Sequence, residues 1–195
     1  METRDRAAVE ADISAASKEL KAAKERIDGL RAELPETEVE DYVFETAGGD
    51  VKLSQLFGDH EDLILVHNMG KSCPYCTLWA DGFIGLLPHL ESRAAFAISS
   101  PDDPSTQAEF AGGRGWPFRM VSVAHSEFTR DMGFLDGDGD YWPGYSTFRR
   151  ADDGRILRVG KDFFGPGDDY CGVWPMFGLL HGGAGEWHPR FSYGG

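Results

Sequence analysis

The sequence predicts an α/β protein in which a central mixed β-sheet is flanked by helices and preceded by a helical arm. Short apolar runs at 62–67 and 94–99, typical of buried strands, alternate with stretches whose apolar residues recur at helical spacing. Two further strand patterns, at 143–148 and 156–163, flank an Asp-Asp-Gly turn and predict a closing β-hairpin. Residues 1–34 follow a different, seven-residue pattern, which predicts the arm.

The arm is predicted to be one long amphipathic helix. Its apolar residues alternate spacings of four and three, which is the a/d seam of a heptad repeat. They are Val9, Ile13, Ala16, Leu20, Ala23, Ile27, Leu30 and Leu34, and Pro35 then ends the helix. Two interpretations stay open: the helix packs on its own domain, or it pairs with a second subunit to give a homodimer. We assign 1–34 to the arm and 35–195 to the globular domain.

The globular domain is predicted to alternate strands and helices along the chain. The predicted order is a strand at 39–44, a strand at 62–67, a helix at 74–87, a strand at 94–99, a helix at 104–112, a strand at 120–124, a short helix at 126–132, the hairpin strands and a final helix. The helix at 74–87 places Trp79 and Phe83 on one apolar stripe. The helix at 104–112 is expected to be capped by Asp103 or Ser105 and to end at Gly112-Gly113.

The charge balance excludes two classes of partner. The chain carries 19 Lys and Arg against 33 Asp and Glu, a formal net charge of -14. Nucleic acids and anionic membranes are bound largely through cationic side chains, so neither is expected as a partner. The arm has 7 basic and 8 acidic residues, whereas 35–195 has 12 and 25, so the acidity belongs to the globular domain.

The cysteine pattern favours a reducing compartment. Only Cys73, Cys76 and Cys171 occur, the first residues show no apolar signal segment, and no apolar run approaches the ~18 residues of a membrane span. A secreted disulfide framework is therefore not expected, and the predicted location is the cytoplasm. In that compartment, a close cysteine pair is more often redox-active or metal-binding than a structural crosslink.

Cys73 and Cys76 belong to a Cys-Pro-Tyr-Cys motif between the predicted strand that ends near His67 and the predicted helix. A helix N-terminus presents unpaired N–H groups and the positive end of the helix dipole, and both stabilise a thiolate. Cys73 is therefore the candidate nucleophile, with Lys71 as an additional positive charge. Cys76 lies one helical turn later and is the candidate resolving thiol, because it can attack a mixed disulfide formed at Cys73.

This strand–CxxC–helix layout resembles that of thioredoxin-type proteins, and the tetrapeptide resembles the active-site motif of glutaredoxins. The resemblance implies a thioredoxin-like fold, and with it a cis-proline at the start of the strand that faces the cysteines. Pro143 precedes the hairpin and is expected to fill that role. A cis Trp142–Pro143 bond would hold the preceding backbone so that it can pair with an incoming thiol substrate.

A narrower resemblance is carried by three strings: Val51-x-Leu53-x-x-Leu56-Phe57, Ser72-Cys73-x-x-Cys76-x-x-Trp79-Ala80-Asp81-Gly82-Phe83 and Gly115-Trp116-Pro117-Phe118. Over roughly residues 30 to 165, the sequence is similar to an uncharacterised bacterial thioredoxin-like domain-of-unknown-function family related to the AhpC/TSA peroxiredoxin class. Peroxiredoxins support one cysteine with a Thr and an Arg, but the string Pro-x-x-x-Thr-x-x-Cys is missing here. The sequence therefore favours dithiol exchange over peroxidase activity.

Cys171 has two interpretations. An inert buried thiol is the simpler one, since free cysteine is among the most buried residue types. The functional alternative is either an extra resolving thiol or a zinc site made by Cys73, Cys76 and Cys171 with His181 or His188, although this spacing matches no known zinc module.

Three other side chains, His67, Asp81 and Trp142, are candidates for a role at the site. His67 is interpreted as a hydrogen-bonded residue at a strand end, with a local base as the alternative. Asp81 lies off the apolar stripe and is expected to cap or contact a neighbouring loop. Trp142 belongs to a set of tryptophans that either line a substrate groove or pack in the core.

We therefore predict a thiol-disulfide oxidoreductase that cycles Cys73 and Cys76 between dithiol and disulfide, with Pro143 as the backbone platform. The expected partner is a thiol or disulfide substrate, either a protein or a low-molecular-weight thiol, and no cofactor or metal is expected. Three alternatives stay open: a metal- or cluster-binding protein using the same cysteines, a peroxiredoxin-like peroxidase, and a non-catalytic thioredoxin-fold assembly module.

Overall fold

The computed structural model describes residues 4–194, so the first three residues of the predicted arm and Gly195 lie outside it. The chain divides into two compact units, Met1–Pro35 and Glu36–Gly195. The first unit contains helix α1, Arg6–Ala32, which covers the heptad positions from Val9 to Leu30 without interruption and buries none of its residues. It ends two residues before Leu34, the last predicted seam residue, so the helix stops earlier than Pro35 predicts. In the part of the chain that the structure describes, no helix is long and apolar enough to span a membrane.

The second unit is a mixed α/β domain. Its strands are β1 (Thr37–Val39), β2 (Val43–Phe44), β3 (Val51–Lys52), β4 (Asp62–His67), β5 (Ala95–Ser100), β6 (Arg119–Ser122), β7 (Gly144–Arg150) and β8 (Ile156–Phe163). Its helices are α2 (Leu53–Leu56), α3 (Pro74–Phe83), α4 (Leu87–Glu91), α5 (Pro104–Arg114), α6 (Phe128–Asp131) and α7 (Val173–Gly178).

Six strands form one sheet in the order β1-β8-β7-β4-β5-β6, and β2 and β3 form a separate ribbon. Strands β4, β5 and β6 are parallel, whereas β7 is antiparallel to both β4 and β8. The end of β4 therefore lies beside the beginning of β7, where His67 pairs with Gly144. This register brings the loop after β4 and the residue before β7 to the same end of the sheet.

Two hydrophobic cores cover the two faces of this sheet. Successive side chains of a strand point to opposite faces, so β4 sends Leu63 and Leu65 into the first core and Val66 into the second. The first core also contains the buried aromatic rings of Phe44, Phe57, Phe128, Phe134 and Phe148. The second contains Trp79, Phe83, Phe96, Trp116, Phe118 and Phe164. The predicted α/β class, with a mixed sheet between helices, is confirmed.

The strand predicted at 39–44 is two short strands. Asp41 accepts hydrogen bonds from the backbone N–H and the hydroxyl of Ser54, both at 2.8 Å, and the Tyr42 carbonyl accepts from the N–H of Leu53. These bonds tie residues 41–42 to the start of α2 and draw them out of the sheet. Side-chain capping of this kind competes with strand pairing.

The two predicted helix ends also differ from the observed ones. The helix expected over 74–87 ends at Phe83, and α4 starts at Leu87 with Pro88 in its first turn, where a missing N–H does no harm. Helix α5 passes through Gly112 and Gly113 and ends at Gly115, whose φ of +68° gives the left-handed cap.

Candidate functional site

The loop between β4 and α3 is held by hydrogen bonds within itself and to β5. The N–H of Asn68 donates to the Ser99 carbonyl at 2.9 Å, and the Asn68 side-chain oxygen accepts from the N–H of Gly70 at 2.8 Å. The N–H of Cys73 then donates to the Gly70 carbonyl at 3.1 Å. Because Asn68 is buried, these bonds are shielded from water and fix where Cys73 begins the helix.

Asp102, just beyond β5, holds the middle of the same loop. Its carboxylate accepts from the N–H of Lys71 at 2.8 Å and from the Ser100 hydroxyl at 3.1 Å. Gly70 has a φ of +100°, and a Cβ at this position would lie 3.1 Å from the Asp102 carboxylate. The loop therefore needs glycine at 70 both for its backbone conformation and for the close approach of Asp102.

Cys73 is the N-cap of α3, and its sulfur accepts a hydrogen bond from the backbone N–H of Cys76 at 3.1 Å. The pKa of Cys73 is lowered to about 7, first by the hydrogen bond from the Cys76 thiol and then by the N–H groups of Cys76 and Tyr75, which outweigh its burial. The predicted thiolate at a helix N-terminus therefore has the required geometry. Lys71 is exposed and takes no part in this shift.

Cys76 has the opposite character. Its side chain is 3 % exposed, and the N–H of Met69 donates to its sulfur at 3.4 Å. Its pKa is raised by the hydrogen bond with Cys73, by burial and by the negative charge on Cys73. The pair is therefore asymmetric, because the pKa of Cys73 is lowered and that of Cys76 is raised.

Pro143 and Cys76 line the same narrow crevice, as the register of β4 and β7 requires. The crevice is too tight for a water molecule, and its other walls are Val66, His67, Asn68, Trp79, Ala80, Phe83 and Phe164.

The prediction of a cis Trp142–Pro143 bond is wrong, because every peptide bond between described residues is trans. Trp142 lies just before β7, and its N–H donates to the Phe134 carbonyl at 2.8 Å. The Pro143 carbonyl accepts a hydrogen bond from the N–H of Phe164 at 2.9 Å. Because these backbone groups are already bonded within the fold, the Trp142–Pro143 bond keeps the trans form that X-Pro bonds favour.

Gly144 follows Pro143 and has no room for a side chain. A Cβ there would lie 2.2 Å from the Asp162 carbonyl oxygen and 2.5 Å from the ring of Phe134. The residue therefore allows β7, β8 and the loop from Phe134 to meet behind the crevice. No sequence pattern identifies Gly144 as required, because the crowding atoms come from residues distant in the chain.

A surface groove of about 400 Å³ lies next to the crevice and shares Phe164 with it. Its apolar walls include Trp142 and Phe163, which are 53 % and 44 % exposed. The Trp142 indole N–H donates to the Asp136 carboxylate at 3.0 Å, which fixes the ring at the groove edge. Of the two interpretations for Trp142, the structure supports the groove wall.

The tail after β8 reaches the Cys-Pro-Tyr-Cys motif. The Tyr75 hydroxyl and His188 Nδ1 are 2.8 Å apart, and the rings of Tyr75 and Trp174 stack with centroids 6.3 Å apart. Cys171 is buried in the second core, and burial raises the pKa of its thiol, as expected for an inert cysteine. The contact of Tyr75 with His188 and Trp174 has no motif that predicts it, although the density of aromatic residues in the tail indicates packing.

Asp81 connects α3 to α5 and to the loop before β6. Its carboxylate accepts a bidentate hydrogen bond from Arg114, and the Trp116 indole N–H donates to it at 2.8 Å. Arg114 in turn donates to the Phe191 carbonyl at 3.0 Å, so the same group also holds the tail. The expected contact of Asp81 with a neighbouring loop is confirmed, and its role is structural.

His67 is not a base for the cysteines. Its ring stacks on Phe134, with centroids 3.9 Å apart, and therefore lies on the first-core face of the sheet, whereas α3 packs on the other. Burial is the main cause that lowers the pKa of His67 to about 3, so the imidazole is neutral, and Nε2 lies 2.9 Å from the Ser146 hydroxyl. The structure supports the strand-end interpretation.

The residues proposed for a zinc site do not assemble. Among residues 4–194, no group of three His, Cys, Asp or Glu side chains has an arrangement that could hold a metal ion. Cys171 packs in the second core, and His188 contacts Tyr75.

Comparison with known proteins agrees with the resemblance carried by the motif strings. Residues 4–184 match the family described as "Bacterial protein of unknown function (DUF899)". No curated protein matches the chain.

Several solved structures are similar to this one. The peroxidoxin BcpB of Mycobacterium tuberculosis is 27% identical with a TM-score of 0.51, over 63% of this chain and 82% of that one. Reduced Prx3 of Vibrio vulnificus has a TM-score of 0.54 at 14% identity, over 69% and 89% of the two chains. A mutant of Xylella fastidiosa PrxQ also gives 0.54, at 18% identity over 68% and 87%. The predicted thioredoxin-like fold is therefore confirmed, and the chain belongs to the DUF899 family.

Proposed function

We propose that the protein is a thiol-disulfide oxidoreductase whose working groups are Cys73 and Cys76. The observation that carries the proposal is the position of the Cys73 sulfur at the N-terminus of α3, 3.1 Å from the backbone N of Cys76, with the Cys76 thiol beside it. A cysteine so placed is a thiolate near neutral pH, and the thiolate is the attacking form. The redox character of the fold, shared with the peroxiredoxins, is consistent with this chemistry.

The reaction would proceed by two exchanges. The Cys73 thiolate attacks one sulfur of a substrate disulfide, forms a mixed disulfide and releases the first substrate thiolate. Cys76, which loses its proton to solvent or to the departing thiolate, then attacks the Cys73 sulfur and releases the second. Two electrons pass to the substrate, and Cys73 and Cys76 are left as a disulfide, which an external thiol reductant returns to the dithiol.

The asymmetry of the pair suits this order of events. While Cys73 is a thiolate, the hydrogen bond between the two side chains, burial and the negative charge on Cys73 all raise the pKa of Cys76. Formation of the mixed disulfide removes that charge, so the main electrostatic obstacle to ionising Cys76 disappears when Cys76 must attack. The resolving step is thus coupled to the completion of the first step.

The groove beside Pro143 is the proposed position for the substrate chain. Its exposed Trp142 and Phe163 would contact apolar atoms next to the substrate disulfide. A disulfide-bearing protein segment or a low-molecular-weight disulfide fits this description. Pro143 would act by shaping the crevice wall next to Cys76, since its carbonyl is bonded to Phe164.

Equilibration in glutathione buffers of graded potential tests the proposal. Alkylation followed by peptide mass spectrometry would report the disulfide state of each cysteine, with Cys171→Ser as the control. We expect one reversible transition in which a Cys73–Cys76 disulfide forms in both proteins. Failure to form that disulfide at any potential, or a disulfide that includes Cys171, would contradict the proposal.

Peroxide reduction at the same cysteine is the second candidate, and the likeness to the Mycobacterium tuberculosis peroxidoxin favours it. The Cys73 thiolate would attack a peroxide oxygen and release an alcohol or water, and Cys76 would condense with the resulting sulfenic acid to give the disulfide and water. Gly70 stands three residues before Cys73, where the peroxiredoxin string has Thr. Rapid-mixing comparison of hydrogen peroxide with glutathione disulfide separates the candidates, because the faster oxidant of Cys73 identifies the substrate class.

A further inference from the structure

Helix α1 carries a continuous apolar seam with exposed side chains. Ile13, Leu20, Ile27 and Leu30 are between 46 % and 60 % exposed, on a helix about 40 Å long. A single helix has no means of burying its own stripe, and a seam with strict heptad spacing matches another helix. The charge and size of its residues identify that helix and its direction.

We propose that α1 pairs with α1 of a second copy of this chain, in antiparallel orientation and with the seam positions from Ile13 to Leu30 in contact. The a positions of the heptad within α1 are Ile13, Leu20 and Ile27, and the d positions are Val9, Ala16, Ala23 and Leu30. In an antiparallel pair, each a residue of one helix faces a d residue of the other. The inference is independent of the redox function proposed above.

The sizes of the seam residues favour this arrangement. With the six positions from Ile13 to Leu30 in contact, Leu20 faces Ala23 of the second copy, Ile27 faces its Ala16 and Ile13 faces its Leu30. Every layer then contains at least one large side chain, so no layer is left under-filled. A parallel pair would instead stack Ala16 on Ala16 and Ala23 on Ala23, which leaves two layers without a large residue.

The flanking charges favour the same direction. In the antiparallel pair, Glu19 lies beside Arg26 of the other copy, and Glu10 lies beside Arg31, each contact occurring twice by symmetry. The unfavourable contact of the antiparallel pair is between Asp12 and Glu33 of the other copy, two acidic side chains near the helix ends. Glu10 also pairs with Arg6 of its own helix at 2.7 Å, an exposed contact of low energy that can be exchanged.

A parallel pair has a poorer charge pattern. It retains one attractive contact type, between Glu19 and Lys24 of the other copy. It also places Arg26 beside Arg31 of the other copy, and this repulsion again occurs twice. In the parallel pair, one attractive contact type is therefore offset by one repulsive type, whereas the antiparallel pair has two attractive types against one repulsive type.

Sedimentation equilibrium of the full chain in reducing buffer tests both association and direction. We expect the wild-type chain to be a dimer and Glu19→Arg to weaken association about tenfold or more, because two attractive contacts become repulsive. Adding Arg26→Glu to Glu19→Arg should restore association to about the wild-type value, since the pair is then reversed. Adding Lys24→Glu instead should fail to restore it.

Glu25→Arg is the matched control, because it makes the same change of charge on the outer face of α1 and should leave association unchanged. Circular dichroism of each variant reports whether the helix is retained. A monomeric wild-type chain at about 100 μM, association unaffected by Glu19→Arg, or rescue by Lys24→Glu in place of Arg26→Glu would each overturn the proposal.

Discussion

Cys73 and Cys171 lie in two regions of the second unit that are alike in burial and different in chemistry. Their side chains are 8 % and 6 % exposed. The pKa of Cys73 is lowered, because its sulfur accepts hydrogen bonds from the Cys76 thiol and from backbone N–H groups at the start of α3. The pKa of Cys171 is raised, because burial is the largest effect on it and the Asp168 carboxylate adds to that effect.

The comparison shows that burial alone does not decide whether a cysteine is reactive. What differs is the set of donors that face the sulfur. Cys73 caps a helix of 10 residues and has a second thiol within its first turn. For Cys171, the N–H of Val173 opposes the effect of burial without reversing it.

The largest effect is expected from replacing the two cysteines in turn. Cys73→Ser should lower the rate of disulfide reduction by at least ~1000-fold, because a serine hydroxyl is not ionised near neutral pH and does not form a disulfide. Cys171→Ser should leave the rate within about twofold. The measurement is the turnover of glutathione disulfide by each variant, and equal losses in the two variants would remove the contrast.

Gly144→Ala should have the next largest effect, because Gly144 lets β7, β8 and the loop from Phe134 meet behind the crevice. The added Cβ would meet the Asp162 carbonyl oxygen at 2.2 Å, so β7 and β8 must separate. We expect a loss of about 3 kcal/mol in the free energy of unfolding, measured by urea denaturation. Gly113→Ala in α5 is the control, since a Cβ there meets no atom within 4 Å, and it should be neutral or slightly stabilising. Similar results for both variants would show that the crowding at Gly144 is unimportant.

Tyr75→Phe should have the smallest effect, and it tests the link between the two regions. The Tyr75 hydroxyl bonds His188 of the tail, and the ring stacks on Trp174, three residues after Cys171. We expect a loss of about 1 kcal/mol in the free energy of unfolding, since one hydrogen bond is removed and the stacking is kept. A double-mutant cycle with His188→Ala isolates this bond, and strict additivity would indicate that it contributes nothing.

The parts of the fold that the sequence predicts well are those decided by nearby residues. The start of α3 at Pro74, the strands at 62–67 and 156–163, and the uninterrupted α1 each depend on local spacing, capping or proline placement. The position of Cys73 at the helix N-terminus belongs to this group.

The parts that were missed depend on residues far apart in the chain. Gly144 is required by a carbonyl in β8, and Tyr75 meets a histidine 113 positions later. The trans Trp142–Pro143 bond follows from hydrogen bonds of Trp142 and Pro143 with Phe134 and Phe164, which no motif encodes. Such contacts are set by how the elements pack, and a single sequence carries no local signal for them.

The measurement that tests the central claim most directly is the rate of alkylation of Cys73 as a function of pH, with each cysteine resolved by peptide mass spectrometry. Since the thiolate is the reactive form, the rate should rise with pH, with a midpoint near the Cys73 pKa of about 7, and then level off, while Cys76 and Cys171 react far more slowly. The denatured chain should show a midpoint of ~8.5 at all three cysteines. A midpoint near 8.5 or above for Cys73 in the folded protein, or faster alkylation of Cys171, would contradict the account.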